Sequence, residues 1–280
     1  MKNIGFIGVG YMGYGIAKNI LKHKNYLFVI ANKNRKPIDK IVNEGAEEVK
    51  SFEDFANKNL DALIMCVTNT PIAKSISEKI AKVLNSKTLI IDITTHNKTG
   101  SMETEQIFKS NNINYIECPV MGGPGQAEEG ILGGIVGGSD ENFKLSEPYL
   151  KMFCKDYFYF GPVGMGAKSK LLNNFLSLGN AALVNHLAKT ASELGLDLKK
   201  VFDVAKLGSG NSAGLVRIFE NLLKGDFTGF KFTATNSVKD LTYIQDLLKD
   251  FPEAEKVAEV NKNYFQKAVD DGYGENFISE

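Results

Sequence analysis

The chain has 280 residues, 43% of them hydrophobic and 24% charged, which is an ordinary composition for one large globular domain or two. Lysine and arginine number 33, and aspartate and glutamate also number 33. The formal charge is therefore zero, and no global field draws the chain to nucleic acid or to an anionic membrane. No run of about 18 uncharged apolar residues occurs, so we expect no membrane span and a small-molecule partner.

The cysteines and histidines argue against a metal site. Cys66, Cys118 and Cys154 are widely spaced and form no CxxC pair. The three histidines are scattered, with no two at ligand spacing on one helix face. We therefore expect reduced thiols in a cytoplasmic protein, and no metal.

The first half of the chain alternates short apolar runs with helix-length segments, which is the pattern of a parallel sheet. The strands are predicted at Asn3–Gly8, Tyr26–Ala31, Ala62–Val67, Leu89–Asp92 and Tyr115–Glu117. Two further apolar runs flank a helical stretch and are predicted to complete the far edge of the same sheet. These are Leu132–Val136 and Tyr157–Phe160, with the helix at Asp140–Lys151.

From Gly166 onward the strand signals vanish and apolar residues recur at three- and four-residue spacing. This periodicity predicts helices at Ala167–Leu194, Leu198–Leu207, Thr235–Leu248 and Glu253–Val269. The sequence therefore predicts an α/β domain with a doubly wound, mostly parallel sheet over residues 1–162. An all-helical domain over residues 163–280 follows it.

A GxGxxG motif lies between the first strand and the first helix, and it reads Gly8-Val9-Gly10-Tyr11-Met12-Gly13. In this position it is typical of a Rossmann-type dinucleotide site. Gly8 permits the tight turn, Gly10 lets the backbone approach a pyrophosphate, and Gly13 lets helix and strand pack closely. The first-turn N–H groups then bind the phosphates. The alternative is a glycine-rich turn that binds nothing.

The end of the second strand decides between NAD and NADP. Enzymes that prefer NAD usually place an acid there to bond the ribose 2′-hydroxyl. Here the strand runs into Asn32-Lys33-Asn34-Arg35, whose amides and cations can accept a 2′-phosphate. This favours NADP, with NAD possible, and the alternative is a solvated charged turn.

Two later strand ends are also predicted to face the cofactor, because ligands of such sheets lie beyond the carboxyl ends of the strands. They supply Val67 with Thr68, and Thr94 with Thr95. Thr68 and Thr95 can bond the nicotinamide ribose or the linking phosphates. The alternative is that each caps the helix that follows it.

A second glycine-rich segment runs from Glu117 to Gly125 and is too rich in glycine and proline to be predicted as a helix. Its backbone N–H groups can bind a carboxylate without obstruction by a Cβ atom. The alternative is a long turn that joins two strands.

Lys170 and Asn174 lie four residues apart on the predicted long helix and so share one face. Hydride reduction of a carbonyl needs a proton donor, and a lysine whose pKa is lowered by burial can supply the proton. The spacing alone favours a solvated lysine.

Four motifs together resemble the β-hydroxyacid dehydrogenase family, which includes 3-hydroxyisobutyrate dehydrogenases and glyoxylate/succinic semialdehyde reductases. They are the opening Gly5 to Gly13, the Pro119-Val120-Met121-Gly122-Gly123 loop, the Gly164-Met165-Gly166 to Lys170 to Asn174 run, and Lys239-Asp240-Leu241. They occur in the family's order and spacing over nearly the whole chain. The resemblance implies a Rossmann domain followed by a helical domain, in homodimers or homotetramers.

The resemblance also implies roles for particular residues. Lys170 is then the catalytic lysine and Asn174 bonds the substrate. Gly122 and Gly123 bind the substrate carboxylate, and Lys239 reaches the nicotinamide end of the cofactor. The Asn32-Lys33-Asn34 turn is similar to the Asn-Arg-Thr of NADP-preferring members.

One position departs from the family pattern. Most members carry a small hydroxyl residue, usually serine, directly before the two glycines, whereas this chain has Met121. A thioether cannot donate a hydrogen bond to a substrate, so Met121 in the substrate pocket favours a smaller or more apolar acid.

The sequence thus predicts hydride transfer between NADP(H) and a small β-hydroxy acid or semialdehyde, with Lys170 as proton donor and acceptor. One alternative is an imine reductase on the same fold, although such members generally lack this lysine. The other is a catalytically silent NADP-binding sensor or scaffold, which Met121 alone encourages.

Overall fold

The computed structural model describes residues 1–30 and 34–280, which form two compact units, Met1–Lys170 and Leu171–Glu280. The strands of the first unit are β1 (Asn3–Ile7), β2 (Tyr26–Ile30), β3 (Glu47–Val49), β4 (Ala62–Met65), β5 (Leu89–Asp92), β6 (Asn114–Glu117), β7 (Val120–Met121), β8 (Leu132–Val136) and β9 (Cys154–Tyr159). Its helices are α1 (Tyr11–Lys22), α2 (Arg35–Asn43), α3 (Thr70–Ile80), α4 (Gly100–Lys109), α5 (Pro124–Glu129) and α6 (Asp140–Leu150), with a 3₁₀ helix at Glu53–Lys58.

The main sheet has the strand order β3-β2-β1-β4-β5-β6, and each neighbouring pair is parallel. The five strands predicted for this sheet are confirmed within a residue or two at their ends. Strand β3 was not predicted, because it is short and Val49 is its only buried residue. The fold class, a Rossmann-type parallel sheet followed by helices, is therefore confirmed.

The prediction that the last two strands complete this sheet is wrong. They are β8 and β9, and they form a separate sheet with the order β7-β8-β9. The chain folds back after β6 through Pro119 into β7, so β8 pairs antiparallel with β7 instead of lying beside β6. An isolated bridge between Glu117 and Gly137 links the two sheets.

Both faces of the main sheet are buried, as expected for a parallel sheet covered by helices. Alternate residues of one strand enter different cores: Ile4 and Phe6 pack with α1 and α2, and Ile7 packs with α3 and α4. This sandwich fixes the carboxyl ends of β1, β4, β5 and β6 along one edge, where the cofactor residues are predicted.

The helix α7 (Met165–Glu193) begins in the first unit and continues in the second. It is followed by α8 (Leu198–Leu207), α9 (Ala213–Leu222), α10 (Ala234–Leu247) and α11 (Pro252–Asp270). The predicted helices are confirmed, while α9 was missed because glycines surround it in the sequence. The two units divide after Lys170, because the first turn of α7 is hydrogen-bonded to the first unit. The domain boundary predicted from the sequence is at residue 162.

The second unit has its own apolar core, in which Phe202 and Phe219 stack with ring centroids 5.3 Å apart. Across the residues that the structure describes, no helix combines the length and the apolar character needed to cross a membrane.

Candidate active site

The glycines of the first loop, Gly8 to Gly13, differ in what surrounds them. Gly8 has a φ of +99°, and a Cβ atom there would lie 2.1 Å from the carbonyl oxygen of Cys66. A Cβ atom on Gly13 would lie 2.1 Å from the carbonyl oxygen of Gly8. At Gly10, by contrast, a Cβ atom would meet nothing within 4 Å. Gly8 and Gly13 thus close the turn, and Gly10 leaves the open cradle that a pyrophosphate needs.

The other residues of the motif serve the turn in different ways. Gly10 is the N-cap of α1 and offers no side-chain acceptor to the first-turn N–H groups. Val9 is fully buried, Met12 packs partly buried against the core, and Tyr11 is 75% exposed. The residues present therefore fit a dinucleotide held by the backbone of the first turn.

The predicted 2′-phosphate site is described only in part. Asn32 and Lys33 lie outside the described residues. Asn34 caps α2, since its side-chain oxygen accepts a hydrogen bond from the backbone N–H of Lys36 at 3.2 Å.

Arg35 is engaged by two carboxylates. Its Nη1 atom lies 2.5 Å from Oε1 of Glu48, and its Nη2 atom lies 3.1 Å from Oε2 of Glu48 and 2.6 Å from Oδ1 of Asp39. The hydrogen bond with Glu48, and after it the hydrogen bond with Asp39, raises the pKa of Arg35. The hydrogen bond with Arg35 lowers the pKa of Glu48. A 2′-phosphate that binds Arg35 must therefore compete with Glu48 and Asp39.

The ends of β4 and β5 are tied together. The backbone N–H of Val67 donates to the Thr94 hydroxyl at 3.3 Å, and the backbone N–H of Thr94 donates to Asp92 at 3.0 Å. Thr68 is exposed and Thr95 is half-buried.

The alternative that these threonines cap the next helices is wrong. The N-cap of α3 is Asn69, whose side chain accepts from the N–H of Ile72 at 3.0 Å, and that of α4 is Thr99. Thr68 and Thr95 keep their predicted cofactor role, which remains a prediction.

A buried polar network, not predicted from the sequence, is centred on Asp92 at the end of β5. Asp92 accepts from the Tyr115 hydroxyl at 3.0 Å, and its Oδ2 atom lies 2.8 Å from Nε2 of His96. Nδ1 of His96 lies 3.2 Å from the Thr70 hydroxyl. The signal was an acid at the end of an apolar run, because a buried carboxylate needs partners.

The second glycine-rich segment is more ordered than predicted. The prediction that residues 117–125 contain no helix is wrong at the end of the segment, because α5 begins at Pro124. Proline is compatible with the first helical turn, where its missing N–H costs no hydrogen bond.

The first two of the three glycines in this second loop, Met121 to Gly125, are not equivalent. Gly122 has a φ of +119°, which favours glycine. Gly123 is the N-cap of α5, and its N–H donates to Oε1 of Gln126 at 2.7 Å. A carboxylate that binds the Gly123 amide must therefore displace the Gln126 side chain.

The helices that follow the two loops are packed against each other. A Cβ atom on Gly15 of α1 would lie 2.5 Å from the backbone nitrogen of Glu128 in α5. The Asn19 side chain donates to the carbonyl oxygen of Ala127 at 2.7 Å. This close packing fixes the cofactor loop relative to the predicted substrate loop.

Lys170 is buried, with 9% of its surface exposed. Its Nζ atom donates to the carbonyl oxygen of Val120 at 2.8 Å and lies 3.4 Å from the sulfur of Met121. The solvated-lysine alternative is therefore wrong. The structure brings the predicted catalytic lysine to the start of the second loop and beside Met121.

Glu117, the last residue of β6, is fully buried and lies at the start of α7. Its Oε1 atom accepts from the backbone N–H groups of Gly164 and Gly166 at 2.7 and 2.8 Å. Burial raises the pKa of Glu117, and hydrogen bonds from the backbone N–H groups at the start of α7 oppose the rise. Glu117 was assigned no role from the sequence, although a charged residue at the end of an apolar strand was a usable signal.

In the second unit, the predicted site residues Asn174 and Lys239 both contact the carboxylate of Asp240. The Asn174 side chain donates to Oδ2 of Asp240 at 2.7 Å, and Nζ of Lys239 lies 2.9 Å from Oδ1 of the same carboxylate. Asp240 is buried and was named only as part of a motif. It orients both the predicted substrate ligand and the predicted cofactor ligand.

The thiols of Cys66 and Cys118 are unsuited to nucleophile chemistry at neutral pH, because their pKa values are raised. Burial raises the pKa of Cys66 to about 12. A hydrogen bond with Cys154, together with burial, raises the pKa of Cys118. The proton-transfer role of Lys170 remains a prediction.

The parallel sheet, the glycine cradle and the strand-end residues define an NAD(P)-binding oxidoreductase. Comparison with known proteins agrees with this class. Residues 3–161 match the NAD-binding domain of 6-phosphogluconate dehydrogenase, and residues 164–279 match the family described as NAD-binding of NADP-dependent 3-hydroxyisobutyrate dehydrogenase.

Individual relatives in sequence include 3-hydroxyisobutyrate dehydrogenases. The chain is 30% identical over 256 residues to the mitochondrial 3-hydroxyisobutyrate dehydrogenase of Pongo abelii, covering 87% of this chain and 74% of that protein. It is 28% identical over 211 residues to a probable mitochondrial 3-hydroxyisobutyrate dehydrogenase of Dictyostelium discoideum. That match covers 74% of this chain and 65%, or slightly less than two thirds, of the relative.

Solved structures share the fold. The 3-hydroxyisobutyrate dehydrogenase of Salmonella typhimurium matches with a TM-score of 0.89 and 24% identity, over 99% of this chain and 97% of that one. Psf3, solved in complex with NADP+ and 2-OPP, matches with a TM-score of 0.88, also at 24% identity and over the same shares. The chain belongs to the β-hydroxyacid dehydrogenase family, which includes the 3-hydroxyisobutyrate dehydrogenases.

Proposed function

We propose that this protein is an NADP-dependent dehydrogenase or reductase that interconverts a small β-hydroxy acid and the corresponding semialdehyde. In this proposal, Lys170 donates and accepts the proton. The observation that carries it is the burial of Lys170, with Nζ held at 2.8 Å by the carbonyl oxygen of Val120.

The reaction follows from the residues at the two loops. When bound, a reduced nicotinamide dinucleotide would supply the hydride for carbonyl reduction. The first loop would hold its pyrophosphate at Gly10, with Thr68 and Thr95 bonding its ribose or phosphates. As negative charge grows on the substrate oxygen, the ammonium of Lys170 donates a proton to it, and the neutral amine accepts one in the reverse direction.

The substrate carboxylate is assigned to the second loop. Gly122 presents its backbone without a Cβ atom, and Gly123 does so once Gln126 withdraws. Asn174, one helical turn after Lys170, bonds a further substrate oxygen. Met121 lines the pocket and favours a substrate that needs no hydroxyl donor from this position.

NADP is the proposed cofactor. No acid ends β2, and the sequence that follows contains Asn32, Lys33, Asn34 and Arg35. In Psf3, a structural neighbour, the bound nucleotide is NADP+. Lys239 is assigned to the nicotinamide end.

The experiment follows absorbance of the reduced nicotinamide. Glyoxylate, succinic semialdehyde, tartronate semialdehyde and methylmalonate semialdehyde are offered with NADPH or NADH. Wild type is compared with Lys170→Ala and with a control, Lys168→Ala, a half-buried lysine on the same helix. We expect turnover with NADPH and a loss of about 10²–10⁴-fold in kcat for Lys170→Ala only. Equal activity of Lys170→Ala and wild type contradicts the mechanism.

We also propose that the protein is a homodimer or homotetramer in the cytoplasm. Exposed leucines on and just beyond α7 are spaced by four and seven residues, as in helices that pair along a seam. They are Leu172, Leu176, Leu183, Leu187 and Leu194. Sedimentation of wild type beside Leu176→Lys/Leu183→Lys tests this, and a wild type that sediments as a monomer contradicts it.

A further inference from the structure

Glu117 is a buried ionisable group that the proposed reaction does not use. A carboxylate taken out of water is costly unless it is paired or hydrogen-bonded. The carboxylate of Glu117 binds the start of α7, because its Oε1 atom accepts hydrogen bonds from the backbone N–H groups of Gly164 and Gly166. Gly166 lies in the first turn of α7 and Gly164 directly precedes the helix, where no preceding helical turn offers carbonyl acceptors.

The surroundings hold Glu117 in one place. Its backbone exchanges two hydrogen bonds with Gly137, at 2.9 and 3.0 Å. A Cβ atom on Gly137 would lie 2.2 Å from Oε1, and one on Gly166 would lie 3.0 Å from it. Both positions therefore carry glycine next to a carboxylate that has little room to move.

The same short segment contacts Lys170. Val120, three residues after Glu117, accepts from Nζ of Lys170. Lys170 lies four residues after Gly166, which is one helical turn or about 6 Å along the axis. The segment from Glu117 to Met121 thus contacts α7 at two points. Glu117 binds the backbone of the first helical turn, and Val120 binds Lys170 in the second turn.

We propose that Glu117 is a positioning residue that sets the place of Lys170 by binding the N-terminus of α7. Positioning requires an accepting oxygen at the end of a side chain as long as that of glutamate, and it does not require the negative charge. The inference rests on the proposed role of Lys170 in proton transfer.

Two conservative variants separate reach from charge. Glu117→Gln keeps the length and one accepting oxygen. Glu117→Asp keeps the charge but withdraws the oxygen by roughly one C–C bond, 1.5 Å. A misplacement of about 1 Å can cost on the order of 10²-fold in rate.

For Glu117→Asp we expect kcat to fall about 10–100-fold, with the substrate KM and the NADPH Kd within about 2-fold of wild type. For Glu117→Gln we expect kcat within about 3-fold of wild type, since both hydrogen bonds can persist. Equal values of kcat for the two variants overturn the inference if the contact between Lys170 Nζ and Val120 persists in both. So does a slower Glu117→Gln beside an unchanged Glu117→Asp.

A crystal structure of each variant measures the positioning without turnover. We expect the 2.8 Å contact between Lys170 Nζ and Val120 to exceed about 3.5 Å in Glu117→Asp and to persist in Glu117→Gln. Persistence in both variants overturns the inference. Loss of the contact in Glu117→Asp without loss of kcat upholds it and contradicts the proposed role of Lys170.

Asp54 provides a matched control, because one of its oxygens also accepts two backbone N–H groups, those of Lys50 and Ser51. Asp54→Ala is expected to lower the melting temperature and leave kcat unchanged. A loss of kcat as large as that of Glu117→Asp shows general loosening of the unit and overturns the inference.

Discussion

The two glycine-rich loops of the first unit look alike in sequence but differ in structure. Each follows a strand and leads into a helix, α1 or α5. In the first loop, Cβ atoms on Gly8 and Gly13 would collide with backbone oxygens at 2.1 Å. In the second loop, the nearest atoms to a Cβ on Gly122 belong to the side chains of Leu132 and Gln126, at 2.8 and 3.3 Å.

The loops also differ in what their ligand-facing groups do in the protein alone. The cradle at Gly10 is open, whereas the amide of Gly123 is bonded to Gln126. The first loop is held in shape by backbone contacts, so the proposed pyrophosphate position at Gly10 is preformed. The second loop is closed by one of its own side chains, so binding there is an exchange of one hydrogen-bond partner for another.

The largest expected effect tests the rigid loop. Gly13→Ala places a Cβ atom against the carbonyl oxygen of Gly8, and neither backbone can move away without opening the turn. We expect a loss of about 3 kcal/mol or more in the free energy of unfolding, and loss of NADPH binding. Thermal melting and fluorescence titration with NADPH measure both.

Gly10→Ala is the matched control for this prediction. Gly10 has a φ of −106°, which alanine adopts, and the new Cβ atom meets no protein atom within 4 Å. We expect an unchanged melting temperature with an NADPH Kd at least about 10-fold higher, since the methyl group fills the pyrophosphate cradle. Wild-type affinity in Gly10→Ala would show that the cofactor does not approach here.

The first loop could be predicted from the sequence because its glycines answer to local backbone geometry. A GxGxxG between an apolar strand and an amphipathic helix specifies the turn by itself. The main sheet was predictable for the same reason, since β1, β4 and β5 are apolar runs buried on both faces.

The second loop could not be read in this way because long-range pairing decides its form. Val120 and Met121 form a strand only because Gly134 and Gly133 lie opposite them. Glu117 gains its role from Gly164 and Gly166, residues that lie more than forty positions away. The exception is Gln126, since a glutamine three residues after a helix N-cap is a local capping signal.

A smaller effect is expected where Arg35 has partners of its own. Glu48→Gln removes one of the two carboxylates that bind its guanidinium and frees Arg35 for a 2′-phosphate. We expect the NADPH Kd to fall about 3–10-fold, with the NADH Kd unchanged, because only NADPH carries that phosphate. Titration with both cofactors measures the ratio.

Glu47→Gln is the control for the Arg35 prediction. Glu47 lies beside Glu48 on β3 but pairs with Lys58, at 2.6 Å. It should change neither affinity. If Glu48→Gln shifts NADH and NADPH equally, Arg35 does not read the 2′-phosphate, and the preference for NADP rests on other residues of the turn.

The smallest expected effect tests the exchange at the second loop. Gln126→Ala releases the Gly123 amide, so a substrate carboxylate no longer has to displace a side chain. We expect the substrate KM to fall about 2–5-fold with kcat unchanged, which corresponds to less than one net hydrogen bond. Gln126→Glu keeps the acceptor and adds a negative charge, so it should raise KM through repulsion of the carboxylate. Initial rates at saturating NADPH give both values. If KM is the same in Gln126→Ala and wild type, the Gly123 amide does not contact the substrate, and Gly122 alone must supply the backbone donor in the second loop.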